Sequence, residues 1–390
     1  MDAATALLEA ERIADIAREH ADETEAKHRL APPVADALAG SELRRWWLPT
    51  ALGGEAGHPG TFAEIIQTIA RGDASAGWCA GIGFAAGAMS AVIDRAAASE
   101  MFADAPLGIG VFSPTSHLSE SGEGFTIKGR WPFASNCHQA AYGAVGFMRY
   151  ANDRPVMGPD GPVTGMAFLR RDQFAIEETW DMAGLRGTGS HDITADTTVD
   201  AAHVSDLFHA KWPDDALFRL RMFDLLGPSL GVVPLGIGRA ALDVAREHIA
   251  VTGDMPQRGP KPPFGIDVLG QARYGTLDSQ LRMAKAYVSD TLDEAYQHAL
   301  RGDVPPREVS ARIAIALYEG LRVGTEAVNY AVQVIGSAAG REGSPVDRMR
   351  RDIQSVACHV LFHPAHLAPL GRQAAGMDTV VWPFLPPDPE

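Results

Sequence analysis

The spacing of apolar residues divides the chain into helices, then short strands, then longer helices. In the first hundred residues, apolar side chains recur every three or four positions, as in Leu7, Leu8, Ile13 and Ile16 and again in Phe62, Ile65, Ile66 and Ile69. This period predicts a block of helices over residues 4 to about 103. Within it, the Gly- and Pro-rich residues 48–60 predict a loop.

The period changes between residues 106 and 208, where short β-like runs alternate with turn residues. Residues 125–129, 141–148, 164–169 and 193–199 are each followed or preceded by Gly, Asp, Asn or Pro. The turn-rich residues 158–165 predict a hairpin. Short strands at this spacing predict a small β-barrel or sandwich.

After residue 214 the pattern becomes helical again, in four long stretches. These are residues 216–248, 267–299, 306–335 and 346–363, and four such helices in series predict an antiparallel bundle. The predicted class is therefore α+β, with an N-terminal helical domain (1–105), a central β domain (106–214) and a C-terminal four-helix bundle with a tail (215–390).

Composition limits the kinds of binding partner and the cellular compartment that we expect. The chain has 390 residues and a net charge of -15, with 49 acidic against 34 basic residues, which argues against a general nucleic-acid binder. Three cysteines without a CxxC pair fit a reducing cytosol and give no disulfide or zinc framework. The acidic N-terminus does not look like a signal peptide, and the uncharged residues 77–93 are too short for a membrane span. We expect a cytoplasmic protein without a membrane partner.

Four segments resemble one known family. They are GDASAGWCAGIG (72–83), GFTIKGRWPFASNCHQAAYGAVG (124–146), WDMAGLRGTGSHDI (180–193) and PVDRMRRDIQSVACH (345–359). Together with the element order, they are similar to the acyl-CoA dehydrogenase fold. The second and fourth segments resemble most closely the two-component, group D flavin-dependent monooxygenases, which include phenol and thiophene hydroxylases.

This resemblance implies the oxygenase component of a monooxygenase. Such a protein receives reduced FMN or FAD from a separate NAD(P)H-flavin reductase and reacts it with molecular oxygen. It then hydroxylates an aromatic or similar small organic substrate through a flavin C4a-hydroperoxide. The resemblance also implies a homotetramer, and it leaves open whether the flavin is FMN or FAD.

The C-terminal segment departs from a dehydrogenase in its chemistry. Abstraction of a proton next to a thioester requires a carboxylate base, and beyond Asp352 the acidic residues are Asp378, Asp388 and Glu390 near the end of the sequence. A helix through this segment would place His359 on the face of Asp352, with His363 one turn further. A histidine that titrates near neutrality suits the deprotonation of a phenol or a hydrogen bond to a peroxide. His359, His363 or both are therefore the candidate catalytic residues, the alternative being surface histidines; Pro364 and the lack of a nearby Glu disfavour a metal site.

The resemblance also supplies flavin contacts. Ser135 matches the position that contacts the central ring, where it is a candidate catalytic residue. Trp131 and Phe133 are candidates to wall this ring, and His138 is a weaker candidate for the site. The other implied contacts are Phe112, Ser113 and Thr115 on the pyrimidine side, Arg186, Thr188 and Ser190 near a phosphate or the cavity wall, and Arg273 near the pyrophosphate of a neighbouring subunit. Core aromatics, turn hydroxyls and ion-paired arginines are the plainer interpretations of the same residues.

Two other functions remain open from the sequence. One is an acyl-CoA dehydrogenase with a relocated base, for which Glu247, Asp267 and Asp278 are candidates. The other is a non-catalytic member of the fold. Several monooxygenases carry a second histidine near the position of Ala85, Ala86 and Gly87. The small residues here indicate either a larger pocket, which would admit a bulky substrate, or a different chemistry.

Overall fold

The N-terminal third is helical, as the apolar spacing predicts. The computed structural model describes residues 1–122, 124–159, 161–205, 210–212, 214–253, 255, 262–375 and 377. The first six helices are α1 (Ala3–Glu19), α2 (Ala21–Lys27), α3 (Pro32–Gly40), α4 (Pro59–Gly72), α5 (Ala74–Ala85) and α6 (Arg95–Met101). Ile13, Phe62 and Ile66 have no exposed surface and pack in the main core. The predicted loop at 48–60 holds one short 3-10 turn, Thr50–Leu52, before α4 begins.

Helix α5 lies at the centre of the molecule. Its sequence of small residues allows neighbouring elements to approach closely, and its start is fixed by Asp73, whose carboxylate accepts the Ala76 N–H at 2.9 Å. Two stretches, residues 74–92 and 222–252, are long and apolar enough to span a membrane. The most apolar part of each stretch is mostly buried inside the fold, as expected of core helices.

The central third is a sheet. Its strands are β1 (Gly108–Ser121), β2 (Gly124–Trp131), β3 (Tyr142–Ala151), β4 (Arg154–Pro155), β5 (Met157–Gly158), β6 (Gly161–Pro162), β7 (Thr164–Arg170), β8 (Ala175–Glu177), β9 (Asp192–Val199) and β10 (Val204–Ser205). The main order is β10-β7-β3-β1-β2-β9-β8, with β1 and β3 parallel and the other pairs antiparallel.

All four predicted strands are present, but the predicted runs omit β1. This long strand has a register shift between Val111 and Ser116, and the residues between them are exposed, which breaks the alternation that marks a strand. The predicted hairpin at 158–165 includes β6, although Asp160 lies outside the described residues, as do residues 206–208 at the predicted end of the β region.

The C-terminal part is helical. It contains α7 (Met222–Gly231), α8 (Val233–Thr252), α9 (Val268–Leu300), α10 (Arg307–Ile335), α11 (Pro345–Ala357) and α12 (Leu367–Ala374). The predicted helices at 267–299 and 306–335 correspond to α9 and α10. The predicted helix at 216–248 is instead a 3-10 turn followed by α7 and α8, which meet at Val232 just before Pro234. The domain limits at 105 and 214 stay predictions.

The predicted helix at 346–363 is wrong in its second half. Helix α11 ends at Ala357, and His359 has an extended backbone with φ -69° and ψ 142°. Two 3-10 turns follow, Val360–Phe362 and Pro364–His366. Asp352 and His359 therefore do not share one helix face, because the chain leaves the helical path between them.

Candidate functional site

Trp78 joins the two residues expected to be catalytic. It lies on α5 with 5% of its surface exposed, and its indole N–H donates to Ser135 Oγ at 3.1 Å. The His359 ring meets the Trp78 ring edge-on, with centroids 5.2 Å apart and planes at 80°. Ser135 follows β2 and His359 follows α11, so the fold brings a β-domain residue and a bundle residue together at one side chain of the N-terminal region.

His359 is held as a neutral imidazole. Its Nδ1 accepts the Leu361 N–H at 3.3 Å and so caps the turn that follows. The single proton of the neutral ring is then on Nε2. Burial lowers the pKa of His359 to about 4, because the charged ring would lose its hydration. The expectation that His359 titrates near neutrality is wrong, but a neutral ring can still donate through Nε2–H.

His363 lies apart from this cluster. Its side chain is exposed, its Nδ1 accepts the Ala365 N–H at 3.2 Å, and its ring centroid is 5.8 Å from that of His366. It caps the second turn in the same way that His359 caps the first. Of the two candidate histidines, the structure brings His359 to Trp78 and Ser135.

A chain of buried hydroxyls continues from Ser135 toward α11. Ser135 Oγ lies 2.6 Å from Ser190 Oγ, and Ser190 Oγ lies 2.6 Å from Thr188 Oγ1. Thr188 Oγ1 donates to the Leu185 carbonyl at 2.8 Å. Ser135, Ser190 and Thr188 are all buried. The hydroxyls of Thr188 and Ser190 thus engage one another and Ser135 inside the protein.

The loop that carries these hydroxyls is wedged against α11. Leu185 has a left-handed backbone with φ 51°, and its N–H donates to Asp352 at 2.7 Å. A Cβ on Gly184 would lie 2.1 Å from the Arg351 carbonyl oxygen, so only glycine permits this approach. Asp352 was expected to share a face with a catalytic histidine; it is instead the anchor of the loop.

Asp352 and Asp73 are two buried carboxyl groups that lie close enough for Asp73 to affect Asp352 electrostatically. Burial raises the pKa of Asp352 to about 7 and that of Asp73 to about 6. Repulsion from Asp73 adds to the rise at Asp352, whereas the Leu185 N–H and Arg348 oppose it. Arg348 is shared with other acids, since it also pairs with Asp22 at 2.6 Å and with Glu25 at 3.2 Å.

Replacing Asp352 by asparagine should flatten the dependence of thermal stability on pH. A carboxyl whose pKa is raised on folding contributes stability below its unfolded pKa of 3.8 and loses it as pH rises through the folded value of about 7. The amide oxygen of the introduced asparagine could still accept the Leu185 N–H, but the side chain would carry no charge. We expect the wild-type Tm to fall between pH 5 and pH 8, and the Asp352→Asn Tm to fall by roughly 2–4 °C less.

The control is Asp347→Asn on the same helix. The Asp347 carboxylate hydrogen-bonds to Arg350 and Arg351, and its pKa is lowered in spite of partial burial. Its replacement should not reduce the fall in Tm toward pH 8. Equal pH profiles for the wild-type protein and Asp352→Asn, measured by calorimetry, would show that Asp352 does not ionise in this range.

An exposed apolar and hydroxylated surface adjoins the cluster. Phe133 is 64% exposed with a left-handed φ of 64°, and its ring lies edge-on to Trp180 at 6.2 Å. Phe112 and Ser113 are also exposed, on the irregular stretch of β1. Thr115 Oγ1 donates to the Arg130 carbonyl at 2.9 Å, which places this stretch beside the end of β2 that leads to Phe133.

These features fit a flavin. An exposed Phe ring held in a strained backbone conformation is unusual in a protein surface, and a flat heteroaromatic ligand would cover it. The exposed backbone and hydroxyls of Ser113 and Thr115 offer polar contacts nearby, and Ser135 lies two residues after Phe133. The predicted contacts Phe133, Ser135, Phe112, Ser113 and Thr115 therefore lie at one end of the β domain.

Other predicted contacts lie elsewhere. Trp131 has no exposed surface and donates to the Gly146 carbonyl at 2.7 Å within the β-domain core. The Arg186 guanidinium contacts the His28 ring and donates to the Met182 carbonyl at 2.9 Å. Arg273 is exposed on α9, bonded to Gln333 and lying over the Tyr330 ring. His138, the weaker candidate, pairs edge-on with His191.

The larger pocket predicted at residues 85–87 stays a prediction. Ala85 and Ala86 are buried, and a Cβ on Gly87 would lie 3.1 Å from the Leu48 backbone nitrogen. The backbone of Leu48 therefore packs closely against Gly87. Trp78 was not predicted from the sequence as a site residue, although it lies in the first of the four quoted segments; nothing local distinguishes it from a core tryptophan.

Comparison with known proteins agrees with this geometry. Residues 229–364 match the family described as Acyl-CoA dehydrogenase, C-terminal domain. The chain is 31% identical to indole-3-acetate monooxygenase of Pseudomonas putida over 87% of this chain and 86% of that protein. It is 25% identical to the oxygenase component of an FADH(2)-dependent resorcinol hydroxylase of Rhizobium sp. over 89% of this chain and 88% of that protein.

Solved structures share the whole fold. The 3-HSA hydroxylase from Rhodococcus sp. RHA1 superposes with a TM-score of 0.88 at 19% identity, covering 96% of this chain and 98% of that one. XiaF from Streptomyces sp., solved with FADH2 and glycerol, superposes with a TM-score of 0.87 at 20% identity, covering 97% of both chains. The predicted α+β fold class is thereby confirmed.

Proposed function

This chain belongs to the two-component flavin-dependent monooxygenases that share the acyl-CoA dehydrogenase fold, and we propose that its substrate is an indole or phenol bearing a short acidic side chain. As an oxygenase component, it uses reduced flavin to hydroxylate a small aromatic compound. The observation that carries the proposal for the site is the meeting of Ser135 and His359 at Trp78. The substrate class is supported by the relative at 31% identity, whose name is indole-3-acetate monooxygenase.

The residues of the site have different proposed roles. Phe133 and the exposed stretch of β1 would hold the flavin, with Ser135 beside its central ring. Reduced flavin supplies the two electrons with which dioxygen is activated. His359, as a neutral imidazole, would donate its Nε2–H to an oxygen atom of the substrate or oxidant. The buried small residues of α5 would keep water from the reacting atoms.

We also propose a homotetramer that works in the cytoplasm with a separate NAD(P)H-flavin reductase. The support for assembly is an exposed apolar strip at the start of α9, where Ile266, Val268 and Leu269 are 71%, 73% and 83% exposed. Exposed apolar surface of this kind marks protein contacts. Arg273 lies on the same helix, where a neighbouring subunit could reach it. Two relatives are named as oxygenase components, which supports a partner reductase.

The dehydrogenase alternative finds less support. Asp267 caps α9 by accepting the Gly270 N–H at 2.9 Å, and Asp278 is ion-paired with Arg239 and Arg282. Glu247 is exposed on α8. In the part of the chain that the structure describes, none of the three contacts Trp78, Ser135 or His359.

A substrate panel tests the proposal. The protein, a flavin reductase and NADH would be supplied with indole-3-acetate, indole, resorcinol or p-hydroxyphenylacetate, and products would be separated by mass. We expect the highest kcat/KM with indole-3-acetate and about tenfold less with indole, which lacks the carboxylate. Flavin binding without a hydroxylated product from any of the four would overturn the proposed substrate class. Reduction of bound oxidised flavin by an acyl-CoA would favour the dehydrogenase instead.

A further inference from the structure

The hydroxyl chain at the site has a fixed direction. Each end of the chain has a single hydrogen-bonding role. The Trp78 indole N–H can only donate, and the Leu185 carbonyl can only accept. A serine or threonine hydroxyl has one proton to give. The protons between these two ends can therefore be assigned by counting.

The assignment starts at Leu185. Thr188 donates its proton to the Leu185 carbonyl, so at its 2.6 Å contact with Ser190 it must accept. Ser190 then donates its proton to Thr188 and must accept from Ser135, also at 2.6 Å. Ser135 gives its proton to Ser190 and accepts one from Trp78. What remains on Ser135 Oγ is a lone pair and no proton.

We propose that Thr188 and Ser190 are positioning residues that hold Ser135 as a hydrogen-bond acceptor and thereby make the site prefer reduced over oxidised flavin. This inference rests on the proposed placement of Ser135 beside the central flavin ring. The ring nitrogen N5 carries a proton in reduced flavin, which can donate to Ser135. In oxidised flavin the same nitrogen has a lone pair, which would face the lone pair of Ser135.

Such a preference suits a protein that receives its flavin already reduced. A site that favours the reduced form takes flavin from the reductase and releases it after reoxidation. Asp352 contributes indirectly. Its carboxylate accepts the Leu185 N–H, which fixes the peptide unit next to the Leu185 carbonyl at the end of the hydroxyl chain. The functional hydroxyl and its orientation are thus set by different elements, β2 and the loop before β9.

The test is anaerobic titration of the protein with FMN and with FAD, each oxidised or reduced by dithionite. In Ser190→Ala, the Ser135 proton has no internal acceptor and can point to N5 of oxidised flavin. We expect the ratio of the two dissociation constants, oxidised over reduced, to fall about tenfold relative to wild type. Thr188→Val removes the hydroxyl at nearly constant shape and should lower the same ratio, since Ser190 is then free to donate to Ser135.

Two controls separate orientation from general damage. Ser229→Ala removes another buried hydroxyl, one that donates to the Leu226 carbonyl on α7, and should leave the ratio unchanged. In a Ser135→Ala background there is no hydroxyl to orient, so adding Ser190→Ala should not change the ratio further. A purely structural role would weaken both flavin forms alike.

The outcomes are distinct. An unchanged ratio in Ser190→Ala, or the same change with and without Ser135, would overturn the directional chain while leaving the monooxygenase assignment intact. A wild-type protein that binds neither reduced FMN nor reduced FAD would overturn the proposed flavin site, and this inference with it. A tenfold fall that needs Ser135 supports both.

Discussion

Replacing His359 by alanine should lower the rate of hydroxylated product at least about a hundredfold, while reduced flavin still binds. The imidazole is the titratable ring that the fold brings to Trp78, and its loss would remove the Nε2–H donor from the reacting region. NADH consumption should continue, with its electrons lost to hydrogen peroxide. Product by mass and peroxide by a coupled assay, measured together, give the fraction of turnover that is productive.

Two variants show whether the ring or the turn matters. His359→Asn keeps a side chain that can cap the Leu361 N–H but has no ring, and it should be as poor as alanine if the imidazole is the active group. His363→Ala removes the exposed histidine four residues away and should retain wild-type product yield. Product loss in His363→Ala comparable to that in His359→Ala would instead place the chemistry at the second turn.

The pH dependence carries a further expectation for the same residue. Because the pKa of His359 is lowered to about 4, the ring is neutral from pH 6 to pH 8 and its ionisation should not appear in the rate there. As the pH falls toward 4 the ring becomes charged, and its Nδ1 then carries a proton and can no longer accept the Leu361 N–H, so we expect the rate to change only in that range.

Replacing Gly184 by alanine should destabilise the protein by at least about 3 kcal/mol. The added Cβ would lie 2.1 Å from the Arg351 carbonyl oxygen and 2.7 Å from the Asp352 nitrogen. Both are backbone atoms of α11, so no side-chain rotation can relieve the contact. Either the loop must leave the helix, breaking the bond between Leu185 and Asp352, or α11 must shift.

The matched control is Gly275→Ala on α9. A Cβ there would meet no atom of the described chain within 4 Å, and alanine in a helix interior should be neutral or stabilise by about 0.5–1 kcal/mol. Thermal melting of both variants, with far-UV circular dichroism, distinguishes them. If Gly184→Ala melts together with Gly275→Ala, the loop is not wedged against α11. If Gly184→Ala is insoluble while Gly275→Ala is not, the expected order still holds.

Much of the fold follows from the sequence because its signals are periodic. The spacing of Phe62, Ile65 and Ile66 is enough to define a helix, and α9 and α10 are long enough for the pattern to be unambiguous. The resemblance of four segments added the order of the domains. The sequence pattern does not predict strand β1, because its exposed stretch interrupts the alternation of buried and exposed residues. The flavin contacts are expected in that same stretch.

The sequence predicts only part of the site, because the site depends on contacts between distant segments. Ser135 and His359 can be proposed from the segments that contain them. Both contact Trp78, however, and the sequence around Trp78 is typical of a core helix. The break after Ala357 has no glycine or proline at it, since Pro364 comes seven residues later. The pKa of His359 depends on neighbours from other elements, which no local pattern shows. The helix predicted through residue 363 places Asp352 and His359 on one face, whereas the helix ends at Ala357 and separates them.

The end of α11 at Ala357 has a consequence for redesign. On a helix, moving a functional side chain to the next position rotates it by about 100° and shifts it by about 1.5 Å along the axis. Any smaller change requires the whole helix to move and its packing to be rebuilt. His359 instead lies at the start of a short capped turn, separate from the ion pairs by which Arg348 and Arg351 bind α11 to α2. We therefore expect that position 359 can be changed to bring another functional group to Trp78, provided that Phe362, which is buried in the main core, is kept.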